Sequence, residues 1–140
     1  MQNISEMLDL PFNHTVTIII ITVIISMVAF SNQNVMNRLI FWPPAMQRGQ
    51  YDRFITHGFI HADGMHLLFN MFTLFFFGSI IESFYRQYFY ELGFILFYLG
   101  GLIFAILPSY LKHKNDVRWA SLGASGAVSA VLFAYVLFEP

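Results

Sequence analysis

The stretch Gly123-Ala124-Ser125-Gly126 sets one serine between glycines at the head of an apolar segment. Glycines let a neighbouring backbone approach closely, and the unpaired N–H groups of a helix's first turn can stabilise an oxyanion. Ser125 is therefore a candidate nucleophile and Gly123 a candidate for shaping the turn beside it. A second reading of the same residues is helix packing. Ser121, Ser125 and Ser129 recur at i, i+4, as do Gly126, Ala130 and Ala134, and stripes of small residues mark close helix contacts in membranes. The segment alone leaves both readings open.

A second polar group opens an earlier apolar run. In His66-Leu67-Leu68-Phe69-Asn70, the histidine and asparagine stand at i, i+4 and share a helix face. Ionisable groups at membrane depth are functional candidates by default, and an interhelical hydrogen-bonded pair is the structural alternative. The stripe continues through Gly78, which would allow a close crossing, to Glu82, which can pair with Arg86 at i+4 in a structural role. His57, His61, Asp63 and His66 form another cluster. No glutamate follows the first histidine in His57-Gly58-Phe59-Ile60-His61, so the helical zinc-protease pattern fails. These histidines are expected to be satisfied at the interface with no metal, and His113 to be solvated.

The elements that must carry these residues are membrane helices. Of the 140 residues 57% are hydrophobic and only 11% charged, with a mean hydropathy of +0.61, against about 25% charged in soluble domains. The net charge of −1 gives no reason to expect a nucleic-acid partner, and with no cysteine there can be neither disulfide nor thiol chemistry. Residues 1–14 lack the basic region of a cleavable signal. Four spans are expected, at about 15–31, 65–85, 89–111 and 121–138. The β-branched content of the first would favour a strand in water, but in lipid a lone segment must satisfy its own backbone, so helix prevails.

The first loop, Asn32 to Gly64, is long and apolar. Trp42 with Pro43 and Pro44 reads as an anchor and a break, and Tyr51, Phe54, Ile55 and Phe59 suit a helix lying in the interface plane. Loops one and three share a side of the membrane and carry Arg38, Arg48, Arg53, Lys112, Lys114 and Arg118, whereas the other side carries Arg86 alone. That bias by itself would put both loops in the cytoplasm. Spans two and four both start from this side, so His66, Asn70 and Ser125 belong near one membrane face. Ser125 should lie about four residues, or roughly 6 Å, into its span.

Taken together, these residues resemble a known family. Arg53-Phe54-Ile55-Thr56-His57-Gly58-Phe59-Ile60-His61, then His66 to Asn70, is similar to the loop-one and helix-two region of rhomboid intramembrane serine proteases. Gly78 and Glu82 fall where that family has its Gly and Glu, and Gly123-Ala124-Ser125-Gly126 with Ala130 resembles its GxSGxxxA motif. The fold implied is an all-α, polytopic rhomboid-like helix bundle. Residues 1–140 would form a single membrane domain truncated at its C-terminus, with four transmembrane helices of an expected six.

The resemblance implies Ser125 as nucleophile, His66 and Asn70 with the Ser125 backbone as oxyanion hole, Gly123 as shaping residue, and Arg53 with loop one as a brace. It implies transmembrane protein substrates cut where small residues let a helix unwind, no cofactor, and a multi-pass protein of the cell (inner) membrane. It places loops one and three outside the cytoplasm, against the charge bias. Two departures stand out. Asp52 occupies the place of a Trp before the loop-one Arg, and the family's general-base histidine, on the sixth span, has no counterpart here. The chain as given is expected to be inactive. The alternative is a non-catalytic rhomboid-like protein that binds transmembrane clients.

Overall fold

The computed structural model describes residues 13–138, and within them the regular structure is helical. Helix α1 (His14–Ser31) is followed in loop one by α2 (Gln33–Leu39), α3 (Pro43–Gln47) and α4 (Arg53–Thr56), the last continuing as a 3-10 turn, His57–Phe59. Helices α5 (Gly64–Tyr88), α6 (Gly93–His113) and α7 (Ser125–Phe138) complete the order. Three of these, α1, α5 and α6, are long and apolar enough to cross a membrane, while α7 is apolar but has 14 described residues.

Helix α1 is polar inside and apolar outside. Its buried residues are Thr15, Ile18, Thr22, Ser26 and Ala29, while Ile20, Ile21, Ile24, Met27 and Val28 face outward. Lipid is as apolar as leucine, so small and polar side chains gain most from the interior and large ones lose nothing outside. The core accordingly forms around α7, where Ala127, Val128, Val131 and Ala134 pack with Leu67, Met71, Leu74 and Ile81 of α5 and with Phe94, Tyr98 and Leu102 of α6. The α6–α7 crossing is tight. A Cβ on Gly101 would lie 3.1 Å from the Ala127 backbone, and one on Gly126 would collide with Ala105.

Helix α5 holds a π turn at Leu74–Gly78. Over the residues from His66 to Glu82, an uninterrupted α-helix would carry the second side chain about 160° around from the first. The underwound turn reduces that drift, so Asn70, Leu74, Gly78 and Glu82 are all buried. Hydroxyls on either side of the turn bond back to carbonyls four residues earlier, Thr73 Oγ1 to Phe69 O at 2.9 Å and Ser79 Oγ to Phe75 O at 3.1 Å. Gly78 provides the close crossing expected of it, since a Cβ there would stand 2.8 Å from Thr15 Cγ2. Glu82 pairs with Arg86 at 3.3 Å. Its carboxylate also accepts from His14 N at 2.6 Å, Thr15 N at 2.9 Å and Thr15 Oγ1 at 2.7 Å.

Two expectations need correction. Helix α7 starts at Ser125, because residues 121–124 are extended or bent, so Ser125 is the first helical residue and not the fourth. The third span runs Gly93–His113 because Glu91 and Leu92 form a turn. Loop one folds as three short helices and a closing 3-10 turn, interrupted where the sequence placed a break. Trp42-Pro43 breaks it, with Pro43 at the first position of α3. Arg53 holds the pieces together, donating from Nη1 to Asn37 O at 2.9 Å and Ile40 O at 2.7 Å, and from Nε to Gln50 Oε1 at 2.9 Å. Asp52 makes an ion pair with Arg38 at 2.9 Å.

Replacing Glu82 by alanine leaves the first N–H groups of α1 and the Thr15 hydroxyl buried without an acceptor. Glu82→Ala is expected to cost about 3 kcal/mol of stability, read as a lowered unfolding midpoint in detergent micelles. An unchanged midpoint would show that α1 does not depend on this carboxylate.

Candidate active site at the head of the fourth apolar helix

The approach to Ser125 is fixed through its backbone. Phe41 and Ser121 form an antiparallel bridge, Phe41 N donating to Ser121 O at 2.9 Å and Ser121 N to Phe41 O at 3.0 Å. Gly123 N donates to His57 O at 2.8 Å, and Ala124 N donates to His61 Nε2 at 3.2 Å. Gly123 has φ +114°, in the left-handed region, and a Cβ there would meet His66 Cε1 at 2.7 Å. Only glycine meets both conditions. The chain thus turns sharply and enters α7 with Ser125 exposed at its first position. Among the described residues, the backbone N–H groups of Ser125 and Gly126 have no backbone acceptor.

His66 lies across this turn. Its backbone N–H is capped by Asp63 Oδ1 at 2.8 Å, and Ala62 N donates to its Nδ1 at 3.4 Å. That contact assigns the ring proton to Nε2, the nitrogen beside Gly123, where an added Cβ would stand 3.0 Å away. Asn70, one turn along α5, is buried, and its Nδ2 donates to His66 O at 2.8 Å. His66 and Gly123 are therefore packed against each other beside Ser125, with Asn70 on the same helix face as His66. A cavity of about 190 Å³ adjoins Ser125, lined also by His57, Ser109, Ser121 and Gly126.

His57 and His61 are both buried in the fold. His61 accepts from Ala124 N through Nε2, so its proton is on Nδ1, 3.1 Å from Ser26 Oγ, and Ser26 Oγ donates in turn to Phe59 O at 2.9 Å. A neutral imidazole is required for this relay, and burial with the neighbouring His66 lowers the His61 pKa to about 4. His57 places Nε2 at 3.3 Å from Leu102 O, and burial lowers its pKa too. The signal in the sequence was Gly58 between them, where a Cβ would strike Leu102, marking a segment pressed onto α6. The two rings of His61 and His66 meet edge to face at 4.9 Å. Among the described residues, no three His, Cys, Asp or Glu side chains are grouped to hold a metal ion.

The arrangement offers an exposed hydroxyl at a helix N-terminus, open backbone N–H groups and an imidazole N–H beside the turn. Such donors suit charge developing on an oxygen. Residues 48–140 match the family model described as the Rhomboid domain. The chain is similar to the rhomboid protease GlpG of Enterobacter sp. (strain 638), 32% identical over 126 residues, covering 87% of this chain and 41% of that protein. It is also similar to RHOMBOID-like protein 12, mitochondrial, of Arabidopsis thaliana, 30% identical over 123 residues, 79% of this chain and 36% of that protein. GlpG of Klebsiella pneumoniae (strain 342) is 29% identical over 124 residues, 87% of this chain and 41% of its own length. The chain thus spans less than half the length of these curated relatives.

The His61 relay makes stability pH-dependent. As pH falls, the unfolded chain binds a proton near the ordinary value of 6.5, whereas the folded chain resists until about 4. The stabilisation is complete above 6.5 and is lost progressively as pH drops toward 4. The melting temperature in micelles should fall over this window, and His61→Gln should flatten the fall. An equally steep fall in that variant would remove His61 as its origin.

Proposed function

Because the chain belongs to the rhomboid family, we propose that it carries the nucleophile half of an intramembrane serine endopeptidase, with Ser125 as nucleophile. The chain is an integral membrane protein with apolar spanning helices. The observation that carries the proposal is the glycine turn at Gly123, which presents Ser125 at the head of α7 beside the His66 ring.

In this reading, Ser125 Oγ attacks the scissile carbonyl of a substrate helix near its end. The tetrahedral oxyanion receives hydrogen bonds from the Ser125 N–H, His66 Nε2–H and an N–H of Asn70 Nδ2. The Oγ proton passes to a base. With Nδ1 accepting from Ala62 N, His66 presents Nε2–H to the site as a donor rather than as a base. The resemblance assigns the base to a histidine on a sixth span, outside these 140 residues. Collapse of the tetrahedral intermediate breaks the scissile C–N bond, and the amine leaves with the proton the base took from Oγ. The resulting acyl-enzyme ester at Ser125 is then hydrolysed by water reaching the exposed head of α7, which releases the acid and restores the hydroxyl. Transmembrane proteins are the proposed substrates and the cell (inner) membrane the proposed site, with no cofactor. His61 acts as a positioning residue, because it holds Ala124 N and so the turn.

Expressed in its full reading frame, the Ser125→Ala variant should lose cleavage of a transmembrane reporter by about 10³-fold or more with expression intact. Undiminished cleavage would remove Ser125 from the mechanism. Loops one and three are proposed to face away from the cytoplasm. The chain has no cysteine, so Asn115→Cys in loop three introduces a single thiol. Labelling of that thiol by an impermeant maleimide on intact cells is the expected result, and protection would reverse the orientation.

A further inference from the structure

The charges of loops one and three have no role in the site. The chain has seven Lys and Arg residues. Arg38 is paired with Asp52, Arg86 with Glu82, and Arg53 is buried on carbonyl oxygens. The remaining four, Arg48, Lys112, Lys114 and Arg118, are all exposed and have no carboxylate within ion-pair distance among the described residues.

These four belong to two loops that the fold fastens together. Besides the Phe41–Ser121 bridge, Trp42 Nε1 donates to Val117 O at 2.9 Å and Gln47 Nε2 to Lys114 O at 3.1 Å. Arg48 is held with its guanidinium 5.8 Å from the centre of the Trp42 ring. Asp116, the carboxylate of loop three, is occupied by His113 at 3.8 Å and by the Arg118 backbone N–H at 2.9 Å. His113 in turn stacks on Trp119. The fastened loops therefore present unneutralised cations beside both tryptophans of the chain, with Val117 66% exposed between them. Tryptophan with Lys or Arg at the end of a spanning helix is the composition of a headgroup-level surface.

We propose that Arg48, Lys112, Lys114 and Arg118 form a binding surface for the headgroups of anionic phospholipids in the adjoining leaflet. Lipid is the occupant the observations favour, because the cations flank the end of α6, a helix long and apolar enough to span, and the exposed apolar side chain among them suits the headgroup boundary. The surface would also account for a charge bias that opposes the orientation proposed above, since these cations would serve lipid recognition on whichever side they lie.

Trp42 and Trp119 supply the probe. The protein is reconstituted in phosphatidylcholine vesicles containing a minority of brominated phosphatidylglycerol, or the same fraction of brominated phosphatidylcholine. Quenching of tryptophan emission should be about twofold greater with the anionic lipid, and the excess should vanish at high salt, where such attractions are screened. The combined Arg48→Gln, Lys112→Gln, Lys114→Gln and Arg118→Gln variant should show no excess. Equal quenching of the unmodified protein by the two lipids overturns the proposal, as does an excess that persists at high salt. Equal quenching together with an emission shift on adding an acidic juxtamembrane peptide would assign the surface to a protein partner instead. The salt comparison uses the unmodified chain, so it stands even where the fourfold variant fails to fold.

Discussion

A carboxylate buried at a helix N-terminus organises the membrane portion of this protein. Glu82, 2% exposed, accepts the first two N–H groups of α1 and the Thr15 hydroxyl, and is paired with Arg86. In hydrocarbon those N–H groups have no water to turn to, so an acceptor must come from the protein. The macrodipole at the start of α1 adds to the attraction. Joining α1 to α5 at this end, with Gly78 admitting Thr15 a turn above, sets the crossing of the two helices. The π turn in α5 is what allows Glu82 and Asn70 to be buried along the same helix.

The other end of the molecule follows the same requirement in a different way. The extended residues before α7 have no helix to satisfy them, and loop one does so. Phe41, His57 and His61 each bond to the backbone between Ser121 and Ala124. Two of these partners are carbonyl or amide groups and one is a ring nitrogen. The ring is the most conditional, because it accepts only while neutral. The turn that presents Ser125 is therefore held by a loop more than sixty residues earlier in the chain, and loop one has a structural reason for its length. The aromatic group of Phe41, Phe54, Tyr110 and Trp119 anchors that loop to the end of α6.

Much of this was legible in the residues. Apolar run lengths gave the helices, since backbone self-satisfaction in lipid overrides the β-branched bias of Thr15 to Phe30. The i+4 placement of Glu82 and Arg86 gave their pairing, and Gly78 gave a close crossing. Gly-Ala-Ser-Gly, with His66 and Asn70, selected the residues of the candidate site. Each of these depends on neighbours within about a turn, where side-chain direction follows from helix geometry.

Other features required contacts distant in sequence. Nothing near Glu82 announces that its main partners are His14 and Thr15, and nothing near His61 announces Ala124. The start of α7 at Ser125 was hidden for the same reason. Residues 121–124 are compatible with a helix by composition, but the N–H groups of Ser121, Gly123 and Ala124 are taken by loop one and Gly123 is turned to positive φ. The sequence by itself determined that this is a membrane helix bundle and which polar residues enter it, because hydrophobicity and periodicity are local properties. Tertiary structure decided which polar groups meet, because in a bilayer each seeks a partner through space and that partner is set by helix crossing and loop closure.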